Sequence, residues 1–254
     1  MTRYFFTDVA TLLGRSLRHI GRSPDTIITT AITPIAMMLL FVYVLGGAIE
    51  TDSQGEYVDY LLSGILLITI ASGIAYTAYR IFLDMKGGIF ERFQSMPIAR
   101  SAVLWAHVLT SVVANLVSLV IVIVVALIMG FRSGANVLDW LAVAGILVLF
   151  TLGLTWLAVI PGLTASSVEG ASAFSYPLIF LPFVSSAFVP TDSMPGPVRA
   201  FAEHQPVTSV VNTLRSLLEN QPLGDDLWVA LAWCLGLVVV AYAFAMSVYR
   251  STVA

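Results

Sequence analysis

The sequence predicts an all-α integral membrane protein with six transmembrane helices. Of its 254 residues, 58% are hydrophobic and only 11% are charged, whereas a soluble domain of this size has about 25% charged residues. The apolar residues form repeated runs of about 20 residues, the length that a helix needs to cross about 30 Å of hydrocarbon. Because lipid offers the backbone no hydrogen-bonding partner, each run must satisfy its own peptide groups as a helix.

Six such runs follow one another along the chain. The predicted spans are Thr26–Ile49, Asp59–Phe82, Val103–Gly130, Leu138–Pro161, Gly170–Val189 and Leu227–Tyr249. The fifth span differs from the others because it contains Pro177 and Pro182, and each proline removes a backbone hydrogen bond. We therefore expect a kinked or interrupted helix there.

The distribution of lysine and arginine predicts the orientation of the spans. Nine of the twelve basic residues fall on one side of an even-numbered topology. They are Arg3, Arg15, Arg18 and Arg22 in the N-terminal arm, Arg80, Lys86, Arg92 and Arg100 around the second connection, and Arg250 near the C-terminus. The positive-inside rule places this side, with both termini, in the cytoplasm.

The N-terminal arm, residues 2–22, is predicted to form an amphipathic helix in the membrane interface. At about 100° per residue, Arg15, Arg18 and Arg22 share one face, and apolar side chains such as Phe6 lie opposite. A helix of this kind lies with its apolar face in the lipid and its arginines near anionic headgroups. The alternatives are a solvated tail and a helix that packs on another protein.

The connection between the fifth and sixth spans, residues 190–226, is too long for a simple turn. It contains two pieces with helical apolar spacing, Pro195–Phe201 and Pro206–Leu218, and the second begins with proline, which is favoured at a helix start. Because neither piece is long enough to span, we predict an outer re-entrant helical hairpin. The alternative is a soluble helical cap over the mouth of the pathway.

The sequence contains few residues that could support enzymatic catalysis. The histidines His19, His107 and His204 lie on different elements, and none belongs to an i, i+4 pair of metal ligands. The chain has no Gly-x-x-x-x-Gly-Lys-Ser/Thr loop for nucleotide phosphates and no ionisable residue in the middle of a span, as an ion-coupled carrier would need. We therefore expect no catalytic residue, no metal, no cofactor on this chain and no nucleic-acid partner. The alternative is a membrane-embedded lipid-modifying enzyme that uses His204, Glu203 and Asp192.

The interrupted fifth span carries a concentration of aromatic side chains. In a transporter, a kinked aromatic span is a suitable wall for the pathway of an amphipathic or apolar substrate. The candidate pathway residues are Phe174, Tyr176, Pro177, Phe180, Pro182 and Phe183. The alternative for each ring is a packing or lipid-facing role.

The end of the second span and the segment Gly87–Arg100 form a charged island between two apolar runs. Arg80 and Asp84 have the i, i+4 spacing of a local ion pair. Beyond them, a short helix is predicted to end at Pro97, because the residue before a proline is pushed out of helical geometry. Its apolar stripe consists of Ile89, Phe90, Phe93 and Met96. Such a helix either docks into a groove on a soluble partner or lies on the lipid surface.

Three sequence motifs together resemble permeases of ATP-binding-cassette (ABC) exporters of the daunorubicin-resistance type, which export drugs or polysaccharides. The first is GGIFERFQSMPIAR at Gly87–Arg100, which is similar to the cytoplasmic coupling segment of these permeases. The second is SSAFVPTDSMP at Ser185–Pro195, and the third is FAEHQPVTSVVNTLRSLL at Phe201–Leu218. Together with the six spans and the amphipathic arm, the resemblance covers essentially the whole chain.

The resemblance implies a permease subunit in the bacterial plasma membrane. It implies a dimer of permease chains, expected to be a homodimer, with two separate cytoplasmic ATPase subunits that bind ATP and Mg²⁺. Closure of the ATPases would switch the permease between inward and outward states and move an amphipathic drug-like, lipid or glycan substrate outward. The N-terminal arm and one cytoplasmic segment would contact the ATPase. In that segment, the implied residues are Gly88, Phe90, Glu91, Arg92, Phe93, Ser95, Met96 and Pro97.

The connection between the fourth and fifth spans departs from the family pattern. Residues 162–169 contain Glu169 and lack the basic residue often found there. A second ATPase contact at this connection is therefore not implied.

Overall fold

The computed structural model describes residues 7, 9–14, 16, 25–45, 57–89 and 100–253, and within these ranges it contains no strand. The helices are α1 (Asp25–Leu39), α2 (Tyr57–Lys86), α3 (Arg100–Ile128), α4 (Val137–Thr164), α5 (Val168–Ala173), α6 (Ser175–Phe180), α7 (Gly196–His204), α8 (Pro206–Leu218) and α9 (Asp226–Val253). A π-helix, Leu40–Leu45, continues α1. Two 3-10 turns, Leu181–Val184 and Thr191–Ser193, lie between α6 and α7.

Helices α2, α3, α4 and α9 are long and apolar enough to cross a membrane. They contain 28 to 30 residues each, so that each is about 42–45 Å long at 1.5 Å per residue. The second, third, fourth and sixth predicted spans are therefore confirmed as helices of spanning length. Each observed end lies within four residues of the predicted one.

The first and fifth predicted spans have a different form. The first consists of the 15-residue α1 and the six-residue π-helix, and the fifth is divided into α5, α6 and the turn Leu181–Val184. The apolar helices Thr30–Val44 and Val168–Val184 are shorter than the other four. A crossing of the membrane by these two segments stays a prediction.

Proline accounts for the interruption of the fifth predicted span. Pro177 has no N–H to donate to the carbonyl of Ala173, and its ring crowds that carbonyl. The helix accordingly ends at Ala173, turns at Phe174 and begins again at Ser175. Pro182 then lies inside a 3-10 turn. The predicted interruption is confirmed.

Helix α2 is the central element of the described chain. Nineteen of its thirty residues are buried, and it contacts α1, α3, α4, α5, α6 and α8. An apolar helix that is enclosed by other helices shows no polar face. By contrast, α3 presents an exposed stripe to its surroundings, formed by Val113, Val117, Val120 and Val124, and α9 exposes Trp228, Leu235 and Val239.

The contact between α2 and α3 includes a position where a side chain of one helix packs against a glycine of the other. Asn115 of α3 lies against Gly73 of α2, and a β-carbon at position 73 would be 1.9 Å from the Asn115 Oδ1 atom. A side chain at position 73 would require either the Asn115 amide to move or the two helices to separate. The buried Asn115 side chain donates from Nδ2 to the carbonyl of Ser111 at 3.0 Å.

Helices α7 and α8 form a hairpin that begins after the turn Thr191–Ser193. Helix α8 buries most of its side chains and contacts α2, α4 and α9, whereas α7 buries only Ala202. The predicted helix Pro206–Leu218 is confirmed at both ends. The predicted piece Pro195–Phe201 is longer in the structure and ends at His204.

Helix α3 runs opposite to α2 and α4, whereas α9 starts at the same end as α4. At one end, the N–H of Arg132 donates to Asp59 at 3.4 Å, and the N–H of Gly134 donates to the carbonyl of Leu218 at 3.0 Å. The start of α2, the α3–α4 connection and the end of α8 therefore lie together, at what we call the hairpin end. At the opposite end, the last turns of α2 approach the first turns of α3 through Asp84 and His107.

Candidate functional site

The predicted coupling segment begins where α2 ends. The N–H of Gly87 donates to the carbonyl of Leu83 at 2.8 Å, and the N–H of Gly88 donates to the carbonyl of Met85 at 3.3 Å. Gly88 has a φ of 67°, a left-handed conformation that terminates helices and favours glycine. The segment therefore begins with a glycine turn at the end opposite the hairpin.

Most of the predicted ATPase-contacting residues lie outside the described part of the chain. These residues are Phe90, Glu91, Arg92, Phe93, Ser95, Met96 and Pro97. The interface-helix arginines Arg15, Arg18 and Arg22 also lie outside it, although residues 9–14 of that arm are helical. The contact with an ATPase stays a prediction.

The predicted ion pair between Arg80 and Asp84 is wrong. The Asp84 carboxylate lies 3.1 Å from Nε2 of His107, on the first turns of α3, and the Arg80 guanidinium lies over the ring of Tyr76 at 5.9 Å. The i, i+4 spacing allowed the local pair, but packing brings the side chain of a neighbouring helix to Asp84. This contact joins the two helices that flank the coupling segment.

The predicted pathway residues differ in how far they are exposed. Tyr176 and Phe180 are 62% and 64% exposed, Pro177 is also exposed, and Phe174 is half-buried. Pro182 is buried. The half-buried Phe183 belongs to an aromatic cluster, described next. A pathway role for these residues stays a prediction.

The aromatic cluster lies between the π-helix and the C-terminal part of the fifth predicted span. The Phe183 and Phe188 rings stack with centroids 4.8 Å apart, and Phe41 stacks on Phe188, also at 4.8 Å. Phe180 reaches the edge of the cluster, 6.2 Å from Phe183. Sequence analysis did not identify Phe41 or Phe188, because the contact depends on the π-helix, which has no signal in the sequence.

A polar junction at the hairpin end joins three elements through Arg215 of α8. Its Nη2 atom donates to the carbonyl of Tyr60 at 3.1 Å and to the carbonyl of Ser186 at 2.8 Å. The guanidinium carbon also lies 3.7 Å from the centroid of the Tyr60 ring, within the range of a cation–π interaction. The Tyr60 hydroxyl donates to the same Ser186 carbonyl at 3.0 Å.

Two further hydrogen bonds extend this junction along α8 to α9. The Ser186 hydroxyl donates to Oδ1 of Asn212 at 2.6 Å, and Nδ2 of Asn212 donates to Asp226 at 3.1 Å. Sequence analysis missed the junction, although a signal was present: Arg215 is four residues after Val211, which lies on the buried face of α8.

The residues of the enzyme alternative form an exposed ion-pair cluster. Arg199 donates to Asp192 at 2.7 Å and to Glu203 at 2.6 Å, and both carboxylates raise the pKa of Arg199. Nδ1 of His204 lies 2.8 Å from the carbonyl of Ala200, one turn earlier in its own helix. Both carboxylates are therefore engaged with a cation on the surface of α7, and nothing in this arrangement favours an enzyme.

Comparison with known proteins identifies the family of this chain and two similar permeases. The family model described as ABC-2 type transporter matches residues 7–218. The chain is 28% identical to the daunorubicin resistance ABC transporter permease protein DrrB1 of Streptomyces coeruleorubidus, over 95% of this chain and 88% of that protein. It is 24% identical to the Mycobacterium tuberculosis protein named probable doxorubicin resistance ABC transporter permease protein DrrC, over 94% of this chain and 86% of that protein. With its apolar helices of spanning length, the chain is a multi-pass membrane protein and belongs to the ABC-2 type transporter family.

Proposed function

We propose that this chain is the membrane permease subunit of an ABC drug exporter. The match along 95% of the chain to a permease named for daunorubicin resistance carries this function. The sequence contains no phosphate-binding loop, and we place ATP hydrolysis on a partner subunit. The chain is a transport subunit and not an enzyme, and its transported compounds are amphipathic and drug-like.

The partner is a cytoplasmic ABC ATPase that binds ATP and Mg²⁺, in two copies, one for each chain of a permease homodimer. It binds at the end opposite the hairpin, through the segment that includes Phe90–Pro97 and through the N-terminal arm with Arg15, Arg18 and Arg22. This proposal is supported by the positions of Gly88 and Arg100, which end α2 and begin α3 at that end of the bundle.

The topology that fits this function has six spans, with both termini in the cytoplasm of a bacterium and the α7–α8 hairpin re-entering the outer leaflet. Two contacts support re-entry. The Gln205 side chain, at the start of α8, donates to the carbonyl of Val184, and the end of α8 lies beside Gly134 of the α3–α4 connection. Helix α8 therefore runs alongside the spans, with its buried face against α2, α4 and α9.

Co-purification and transport, measured in one preparation, test the function. The permease is expressed with its cognate ATPase, and inverted membrane vesicles are assayed for ATP-dependent doxorubicin uptake by fluorescence quenching. Glu91→Ala and Pro97→Ala should each reduce the recovery of the ATPase and the uptake. Glu203→Ala is the matched control, because this carboxylate lies on exposed α7 at the hairpin end. If the parent retains no ATPase, or if both substitutions leave uptake intact, the proposed function is wrong.

The same preparation separates substrate classes. A drug exporter takes up doxorubicin when ATP is added and shows faster ATP hydrolysis in its presence. A permease for lipid or glycan shows neither response to doxorubicin but transfers a labelled lipid or glycan across the vesicle membrane. The second result would keep the ATPase partnership and replace the substrate.

A further inference from the structure

We propose that Arg215 is a positioning residue that couples α2 to the α7–α8 hairpin, so that a movement imposed on α2 at its opposite end is transmitted to the hairpin end. This inference rests on the proposed function, because it assumes that the ATPase acts through the segment that follows α2. It concerns how that action reaches the other side of the membrane.

Helix α2 runs without interruption from one end of the bundle to the other. It is a single helix of thirty residues with no proline, and it continues directly into Gly87 and Gly88, where the coupling segment begins. The first predicted span contains Pro34 and changes from α- to π-helix, and the fifth is broken at Phe174. Since interruptions absorb bending, the uninterrupted α2 is suited to transmit a displacement along its axis.

At the hairpin end, Arg215 attaches α2 to α8 and to the turn after Val184. Arg215 donates to the carbonyls of Tyr60 and Ser186 and lies over the Tyr60 ring. Its guanidinium thereby holds α2, the turn after Val184 and α8 in one contact. Two tyrosine hydroxyls also attach the turn to α2: Tyr60 donates to Ser186 at 3.0 Å, and Tyr57 donates to the carbonyl of Phe188 at 3.2 Å.

Arg215 makes its direct contacts with backbone carbonyls and an aromatic ring. Within the described chain, no carboxylate contacts Arg215 as an ion pair, although the charge of Glu219 acts on it from a greater distance. The planar fork of arginine lets one side chain bond two carbonyls on different elements, which the single ammonium of lysine does less well. Such a geometry indicates that Arg215 holds backbone positions relative to one another.

The experiment compares transport per ATP hydrolysed in the assembled permease–ATPase complex. Arg215→Ala should retain the ATPase and hydrolyse ATP, while doxorubicin transported per ATP falls at least about tenfold, because the loss of even one charge-assisted hydrogen bond corresponds to about that factor and Arg215 makes bonds to two carbonyls. Arg215→Lys should give an intermediate ratio, and it replaces the alanine variant if that variant is not recovered. Arg199→Ala is the matched control, since Arg199 joins only α7 to the adjacent turn and should leave the ratio unchanged.

A disulfide separates positioning from a role of the charge in binding substrate. Ser186→Cys and Asn212→Cys replace two side chains whose oxygen atoms are 2.6 Å apart, in a background with Cys234→Ala so that no other cysteine is present. Oxidation should restore the ratio of Arg215→Ala, because the disulfide rejoins α8 to a turn that the tyrosines still hold on α2. Reduction should abolish the rescue, and each single cysteine variant should show none.

Three results would overturn the inference. The first is a normal ratio in Arg215→Ala, and the second is a failure of the oxidised cysteine pair to rescue that variant. The third is a block of transport by the same disulfide when Arg215 is present, because the three elements would then have to separate during transport. If the parent complex itself does not transport doxorubicin or bind an ATPase, the proposed function fails first and the inference fails with it.

Discussion

Gly73→Ala should destabilise the protein, and Asn115→Ala should reverse the effect. The added β-carbon would lie 1.9 Å from Oδ1 and 2.7 Å from Cγ of Asn115, whereas nonbonded heavy atoms normally remain about 3.5–4.0 Å apart. Either the amide must swing away and lose its 3.0 Å hydrogen bond to Ser111, or α2 and α3 must separate.

The magnitude follows from two opposing contributions. Overpacking of a close contact costs about 1–3 kcal/mol, while replacing glycine by alanine inside a helix contributes about 1 kcal/mol in favour of folding. The net loss for Gly73→Ala should therefore be up to about 2 kcal/mol. In the Asn115→Ala background the clash is absent, so that Gly73→Ala should stabilise by up to about 1 kcal/mol.

Thermal unfolding in detergent, followed by tryptophan fluorescence at one scan rate, measures both effects. A change of 1 kcal/mol corresponds to a shift in Tm of about 2–4 °C for a chain of this size. Gly145→Ala is the control, because Gly145 is an exposed residue inside α4 with open space around a built β-carbon. It should raise Tm slightly. If Gly73→Ala lowers Tm equally with and without Asn115, the two residues do not clash and the packing argument is wrong.

Two further predictions concern buried groups. Trp156 is fully buried, and its ring lies between those of Trp105 at 5.0 Å and Tyr242 at 4.9 Å. Trp156→Ala should therefore lower the unfolding free energy by about 3–5 kcal/mol, whereas the same change at exposed Trp228 should have little effect. Similar Tm values for the two variants would contradict this prediction. Burial raises the pKa of Glu219, with a further increase from Asp59 and an opposing decrease from Arg215. The folded state therefore binds the Glu219 proton more tightly than the unfolded state does. The contribution of this proton to the free energy of unfolding is fully present at low pH and is lost as pH rises through the folded-state pKa. Accordingly, Tm of the parent should fall relative to Glu219→Gln as pH rises from about 4 to 7, and a constant difference between the two proteins would refute this.

Helix ends in this protein were predictable where a proline or the apolar spacing of nearby residues marks them. Helix α8 was predicted to its terminal residues, because Pro206 marks a helix start and the apolar spacing continues to Leu218. The break in the fifth span was predictable for a similar reason, since the effect of Pro177 on Ala173 is local. In both cases the sequence itself determines the backbone hydrogen bonds.

Contacts between elements were not predictable in the same way. The spacing of Arg80 and Asp84 indicated a pair within α2, but His107 of α3 is the partner that packing supplies. The aromatic cluster was missed because it joins rings from two distant parts of the chain, Phe41 on the π-helix and Phe188. Arg215 was not singled out, because its contacts cross to α2 and depend on how the helices pack.

The enclosure of α2 has a consequence for how such chains change over time. A substitution on α2 meets a neighbouring helix on nearly every side, so that it is tolerated only when its volume suits that neighbour or the neighbour changes with it. On the exposed stripe of α3, a valine lies at the surface of the described chain, and another apolar side chain serves equally well there. Chains that share 24–28% identity with this one are therefore expected to drift fastest on their exposed helix faces, while the enclosed helix changes in matched pairs.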